Sequence, residues 1–204
     1  MMKTLFPLGL GCSLLLLAQS TLASDLNDEF NQLLKSSLRS KGPVKIERVL
    51  RQDEVQELCS DPDQTISTDL AAQVMKQQLE TVEYPEDGHF LGDWRQGEKI
   101  AQSGKGLRFN DKADVPSGGN CYACHQITAD ELSYGTIGPS LLGYGKIRGY
   151  SDEVLRYTWG KIYNPQGYGL CSNMPRYGHQ GILTQEQIKD VMGLLLDPDS
   201  PVNQ

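Results

Sequence analysis

The sequence predicts a mainly α-helical chain, and three observations carry that reading. Apolar residues recur at helical spacing before the middle of the chain, as Leu26, Phe30, Leu33, Leu34 and Leu38, and again as Leu70, Val74, Leu79 and Val82. Near the end, Thr184 and Gln187 form a capping box and Leu183 and Ile188 a staple. They open a helix whose inner stripe is Ile188, Val191, Met192 and Leu195. Between these regions lies Cys121-Tyr122-Ala123-Cys124-His125, which gathers two of five cysteines and one of three histidines within five residues.

That spacing, Cys-x-x-Cys-His, is the attachment signature of a c-type haem. Cys121 and Cys124 can add to the two vinyl groups on one edge of the macrocycle, and His125 is then held beneath the iron as an axial ligand. Cys-x-x-Cys alone also suits a disulfide, a thioredoxin-like redox pair or half a zinc site completed by His179 or Cys171. The redox pair needs a strand-to-helix setting, which Gly118-Gly119-Asn120 does not supply. The immediate histidine makes one covalent haem c the preferred reading.

Composition bounds the rest. A chain of 204 residues holds one domain, or one domain with an extension, and its 38% hydrophobic content supports a small core. A net charge of −7 with no basic cluster excludes a generic nucleic-acid binder. At the N-terminus, Lys3 precedes an apolar run from Leu5 to Leu17, and Thr21-Leu22-Ala23 then leads into Ser24-Asp25. This is the pattern of a secretory signal peptide over 1–23. A retained anchor is the alternative, although the run is short for a membrane span. Cys12, with Gly9 three residues earlier, makes a poor lipoprotein signal and is expected to leave with the peptide. No other stretch is long and apolar enough to cross a bilayer. Export to the periplasm agrees with the motif, because covalent haem attachment in bacteria takes place outside the cytoplasmic membrane. Once Cys121 and Cys124 hold haem, Cys59 and Cys171 remain. An oxidising compartment favours pairing them, with free buried thiols or a cross-link to a partner as alternatives.

The elements follow in order. Asp25 to Arg39 reads as an amphipathic helix ended by Lys41-Gly42-Pro43. Val44 to Leu58 reads as a second helix, Asp61-Pro62-Asp63 as a turn, and Thr68 to Val82 as the clearest helix of this part. The stripes of this extension are expected to face the core or the following domain. Tyr84-Pro85-Glu86-Asp87-Gly88 punctuates the chain, which divides into an extension over 24–88 and a haem domain over 89–204. The extension is too small for a secure core of its own and is expected to pack on the haem domain. That domain opens with a helix from Asp93, in which Gly97 signals close approach to another helix, namely the last one. Gly138-Pro139-Ser140-Leu141 follows the haem motif. Pro139 can pack against the His125 ring, and a carbonyl of this loop can accept its Nδ1–H, leaving Nε2 for iron. Asp152 to Gly160 reads as a short helix, Asn164-Pro165-Gln166-Gly167 as a turn, and Cys171 to Pro175 as part of a long loop.

Four side chains compete for the second axial position: Met174, His179, His89 and Met192. Met174 is preferred, since it lies in a loop and is followed by the rigid Pro175. His179 shares that loop and is the main rival. Thioether ligation raises the reduction potential, and an iron filled on both sides carries electrons rather than substrate.

From about Asp93 to Asp197 the order of helix, Cys-x-x-Cys-His, Gly-Pro-x-Leu-x-Gly, Met-Pro loop and terminal helix resembles class I c-type cytochromes. More narrowly, Gly119 to His125, Gly135 to Leu141, Met174 to His179 and Gly181 to Pro198, behind an N-terminal extension, are similar to the SoxX family. That family supplies the small cytochrome subunit of the SoxAX complex. The resemblance implies a heterodimer with a SoxA-type haem subunit, which joins thiosulfate to a cysteine of the carrier SoxYZ. It also implies that this chain passes the released electrons to a small cytochrome acceptor. Carried over to this sequence, Cys121 and Cys124 attach haem and His125 and Met174 ligate iron. No catalytic residue carries over. A free periplasmic electron carrier is the alternative function.

Overall fold

The computed structural model describes residues 28–204, apart from 62 and 113 and the side chain of residue 49. The signal peptide expected over 1–23 lies outside the described residues. Those residues are mainly helical and contain no named strand, only an isolated bridge between Lys41 and Val44. Among the described residues no helix is long and apolar enough to cross a membrane.

Among its described residues the extension carries four helices: α1 over 28–37, α2 (Glu47–Leu50), α3 (Glu54–Ser60) and α4 (Thr68–Glu80). Two expectations are corrected here. The apolar face expected to turn inward on the first helix is open, with Phe30 58% and Leu33 59% exposed. The single helix expected over Val44 to Leu58 is broken in two. Asp53 sits in extended backbone, its carboxylate accepts the Gln56 N–H at 3.0 Å, and the Gln56 side chain accepts the Asp53 N–H at 3.0 Å. This reciprocal cap satisfies donors that a continuous helix would have used, so the chain restarts at Glu54. By contrast α4 begins where its Ser67 cap dictates and buries Val74.

The second part carries α5 (Trp94–Gln102), α6 (Tyr144–Arg148), α7 (Asp152–Tyr163) and α8 (Gln185–Leu196). Asp93, Ser151 and Thr184 cap α5, α7 and α8 through their side-chain oxygens. The crossing of α5 and α8 is the tightest joint. A Cβ on Gly97 would overlap the Asp190 carbonyl, and one on Gly193 would overlap the Gly92 carbonyl. The Gly92 N–H donates to the Lys189 carbonyl at 2.8 Å and the Asp93 N–H to the Asp190 carboxylate at 2.9 Å.

The extension shares this core. Val82 joins Phe90, Trp159, Ile162, Ile188, Met192 and Leu196 in one buried cluster. Phe90 meets Trp159 edge to face, with ring centres 5.7 Å apart. The Trp159 indole N–H donates to the Glu83 carbonyl at 2.8 Å, and the Asn164 amide donates to Gln78 and Thr81 at the end of α4. A second cluster of Ala101, Tyr122, Ile127, Leu194 and Val202 lies beside the cysteine motif. Each large apolar side chain fully enclosed in this way contributes about 1.5–3 kcal/mol.

The chain does not trail off after α8. Asn203 is fully buried, its side-chain oxygen accepts the Gly145 N–H at 2.9 Å, and its amide donates to the Leu195 and Asp197 carbonyls. It thereby ties the start of α6 to the end of α8. α6 itself was not foreseen from the sequence.

Candidate functional site

The motif hangs from the C-terminal end of α5. The Gly119 N–H donates to the Ile100 carbonyl at 2.8 Å and the Asn120 N–H to the Ser103 carbonyl at 3.0 Å. Asn120 takes the left-handed conformation, with φ +47°, and turns the chain into a single 3₁₀ turn over Cys121–Ala123. The N–H groups of Cys124 and His125 both donate to the Cys121 carbonyl, at 3.0 and 2.9 Å. One turn therefore gathers both thiols and the imidazole. Neither Cys121 nor Cys124 is in a disulfide, and burial pushes the Cys121 thiol up to about 12.

His125 is fixed from behind. Its Nδ1 lies 2.7 Å from the Pro139 carbonyl, which can only accept, so Nδ1 carries a proton, and in the neutral ring the lone pair is left on Nε2. The loop comes this close because residue 138 is glycine: a Cβ there would overlap the imidazole ring. The Gly138 N–H donates to the Cys124 carbonyl at 2.8 Å, and the Leu141 N–H to the Gln126 carbonyl at 2.7 Å, pinning the loop on both sides of Pro139. Gly138 has a positioning role the sequence reading did not assign, although its place before Pro139 was the available signal.

Both thiols, the imidazole and the Gly138-Pro139 loop face one cavity of about 620 Å³. Cys121, Cys124, His125, Pro139 and Met174 line it, together with Ala101 of α5, Ile162 of α7 and Val191, Leu194 and Leu195 of α8. The size falls in the range of small-molecule and cofactor sites, about 300–1,000 Å³. Of the competing ligands, His179, His89 and Met192 are absent from the lining, and Met192 is fully buried in the core. Cys171 is bonded to Cys59, with Cα atoms 5.4 Å apart, so it has no thiol to offer a zinc ion. No three His, Cys, Asp or Glu side chains converge as a metal-binding group among the described residues.

The donor set fits a haem c. Two unpaired thiols stand beside an oriented imidazole at the wall of a large apolar cavity, and a thioether lines the same cavity. Cys121 and Cys124 would hold the group covalently, His125 and Met174 would ligate its iron, and the iron would supply one-electron redox chemistry when bound. The carbonyl of Pro139 and the flat approach of Gly138 set the imidazole's direction.

One buried phenol joins the motif to the loop of Met174. The Tyr177 hydroxyl donates to the Gly119 carbonyl, and burial drives its phenol strongly upward, so it stays a neutral donor. This link had no signal in the sequence beyond proximity to Met174.

No family model matches the sequence. Over 155 residues, covering 75% of this chain and 73% of the other, the sequence is 41% identical to a protein of Aquifex aeolicus (strain VF5) named as an uncharacterized lipoprotein. The chain belongs to that protein's family. Identity of this extent makes the fold common to both, while the name attached to the relative gives it no cofactor or activity.

Proposed function

We propose that this chain is an exported mono-haem c-type cytochrome that transfers electrons through a His125/Met174-ligated iron. The observation that carries the reading is the convergence of Cys121, Cys124, a Nδ1-protonated His125 and Met174 on one apolar cavity. The cavity wall is mostly apolar, Pro139 and Gly138 hold the imidazole, and His125 and Met174 would both ligate the iron from this chain. An iron held by both side chains would carry electrons rather than bind substrate. The relative's printed name, lipoprotein, supports an envelope or exported location, and the N-terminal signal pattern supports the periplasm in particular.

The finer assignment rests on the resemblance to SoxX. On that reading the chain is the electron-transfer subunit of a SoxAX complex. Oxidative conjugation of thiosulfate to a SoxYZ cysteine takes place on the SoxA-type partner, and the electrons leave through this chain to a cytochrome acceptor. A free carrier is favoured by one observation: the extension is built into the core and onto the Met174 loop, so its presence does not require a partner.

Two measurements separate these readings. A pyridine haemochrome assay on the exported protein is expected to show one covalent haem per chain, and its absence would remove the whole proposal. Purification from the native source is then expected to yield a stable complex with a larger haem protein. A monomer carrying haem would sink the SoxX assignment and leave the free carrier.

A further inference from the structure

The loop that carries Met174 is gripped on both sides by one short helix of the extension. Cys171, three residues before Met174, is bonded to Cys59 in the last turn of α3. Arg176, two residues after it, is buried and paired with Asp53, the N-cap of the same helix. Asp53 and Cys59 are six residues apart in sequence, so α3 spans about 9 Å between its two grips. A hydrogen-bonded helix is stiff over that length, whereas the loop has no regular structure from residue 172 to 176. Other ties of the loop run to its own domain: Met174 packs against the main core cluster, Tyr177 donates to the Gly119 carbonyl, and the Gly178 and His179 N–H groups donate to the Tyr163 carbonyl. The hydrogen bonds among them lie after Arg176. On the other side, the Gln166 amide donates to the Ser172 carbonyl at 2.9 Å.

A buried arginine paired with a half-exposed carboxylate is a costly way to gain stability, because the guanidinium loses its hydration. The same pair is well suited to fixing geometry, since the charge-assisted contact is strong and directional.

We propose that α3 is a splint for the sixth ligand: Asp53 and Cys59 act as positioning residues that hold the Met174 loop against the cavity, so that the extension sets the axial ligation. The inference rests on the haem reading above.

The test uses the full exported chain with its haem. Asp53→Asn keeps a side-chain oxygen for the cap but removes the charge from Arg176. It is expected to leave covalent haem content unchanged, to weaken or abolish the methionine–iron charge-transfer band, and to bind added imidazole roughly tenfold more readily, as the loop's open state gains population. Amide exchange over 172–178 is expected to quicken by a similar factor. Asp53→Glu, one methylene longer, is expected to restore the band at least in part. The Cys59→Ser/Cys171→Ser double variant is expected to show the same loss, and Asp53→Asn carries the test alone if that protein does not fold. Val74→Ala, which hollows out α4 instead, is the control: it is expected to lower the unfolding temperature and leave the band unchanged. Asp53→Asn and the double variant keeping the wild-type band and imidazole binding, while unfolding earlier, would overturn the splint and leave α3 as a plain staple. Absence of covalent haem from the unsubstituted protein would overturn the haem reading itself, and the splint with it.

Discussion

At residue scale the site turns on which side chains reach the cavity wall. Met174 does and Met192 does not, although both methionines lie in the same part of the chain. Met192 sits at a core position of α8 and is fully enclosed by other apolar groups, where its flexible thioether fills space. Met174 stands in a loop, partly buried, at the cavity. On the haem reading proposed above, Met174→Ala is therefore expected to keep haem covalently attached but open the sixth position. The reduction potential should fall, since the soft thioether that favours reduced iron is gone. Potentiometric titration checks this, and an unchanged potential with an unchanged methionine–iron band would count against Met174. That Cys121, Cys124, His125 and Met174 share one cavity was legible, because the Cys-x-x-Cys-His motif gathers three of them within five residues and a Met-Pro pair in a loop is a rare feature. Gly138 and Tyr177 were not legible as positioning groups. One acts by the absence of an atom and the other through a carbonyl 58 residues away, and neither leaves a local pattern.

At element scale, helices were read well where caps and stripes agreed. α4, α5 and α8 begin at the oxygen-bearing caps that mark them in the sequence. The segment from Val44 to Leu58 misled because charged and apolar residues alternate through it while the break depends on Asp53 capping Gln56. The 28–37 helix has a regular apolar stripe that the rest of the described chain leaves largely open, so periodicity gave the element without its packing. The crossing of α5 and α8 is the joint on which the cavity depends. Gly97→Ala forces a methyl into the Asp190 carbonyl and is expected to cost about 1–3 kcal/mol of stability by strain, despite alanine's better helix propensity. A urea denaturation curve measures it. The same joint carries a pH signature. Burial raises the Asp190 carboxyl above its ordinary value of 3.8, and repulsion from Asp93 and Glu186 adds to this, against the opposing Asp93 N–H. The folded state thus holds this proton more tightly than the unfolded one. Its contribution to stability is complete below pH 3.8 and is lost as pH rises through the higher folded value. Asp190→Asn keeps an oxygen for the Asp93 N–H and loses the charge. It is expected to be more stable than the wild type at neutral pH and to lose the fall in stability that begins as pH rises above 3.8.

At the scale of the whole molecule the question is whether the extension is a separate module. The Pro- and Gly-bearing stretch at residues 84–88 marks a boundary by composition, but the contacts run across it. Val82 belongs to the Trp159 core, the Glu83 carbonyl accepts the Trp159 indole N–H, and Gln78 and Thr81 accept from the buried Asn164 amide. Leu79 packs against Gly167, where a Cβ would meet its side chain at 2.7 Å. A chain restarted at Pro85 would leave the Trp159 and Asn164 donors without those acceptors, at about 1–3 kcal/mol each where burial persists. It would also lose the 112-residue bridge from Cys59 to Cys171, a link of a kind that contributes about 2–4 kcal/mol. Against a typical total of about 5–15 kcal/mol, such losses are large. The truncated protein is expected to unfold at a markedly lower urea concentration than the full exported chain, or to be degraded during export, and to show weakened methionine ligation wherever haem is attached. Equal unfolding midpoints for the two proteins would mean that the extension is a detachable module and that the shared core contributes little. A lower midpoint with intact ligation would keep the shared core while removing α3 from the control of Met174.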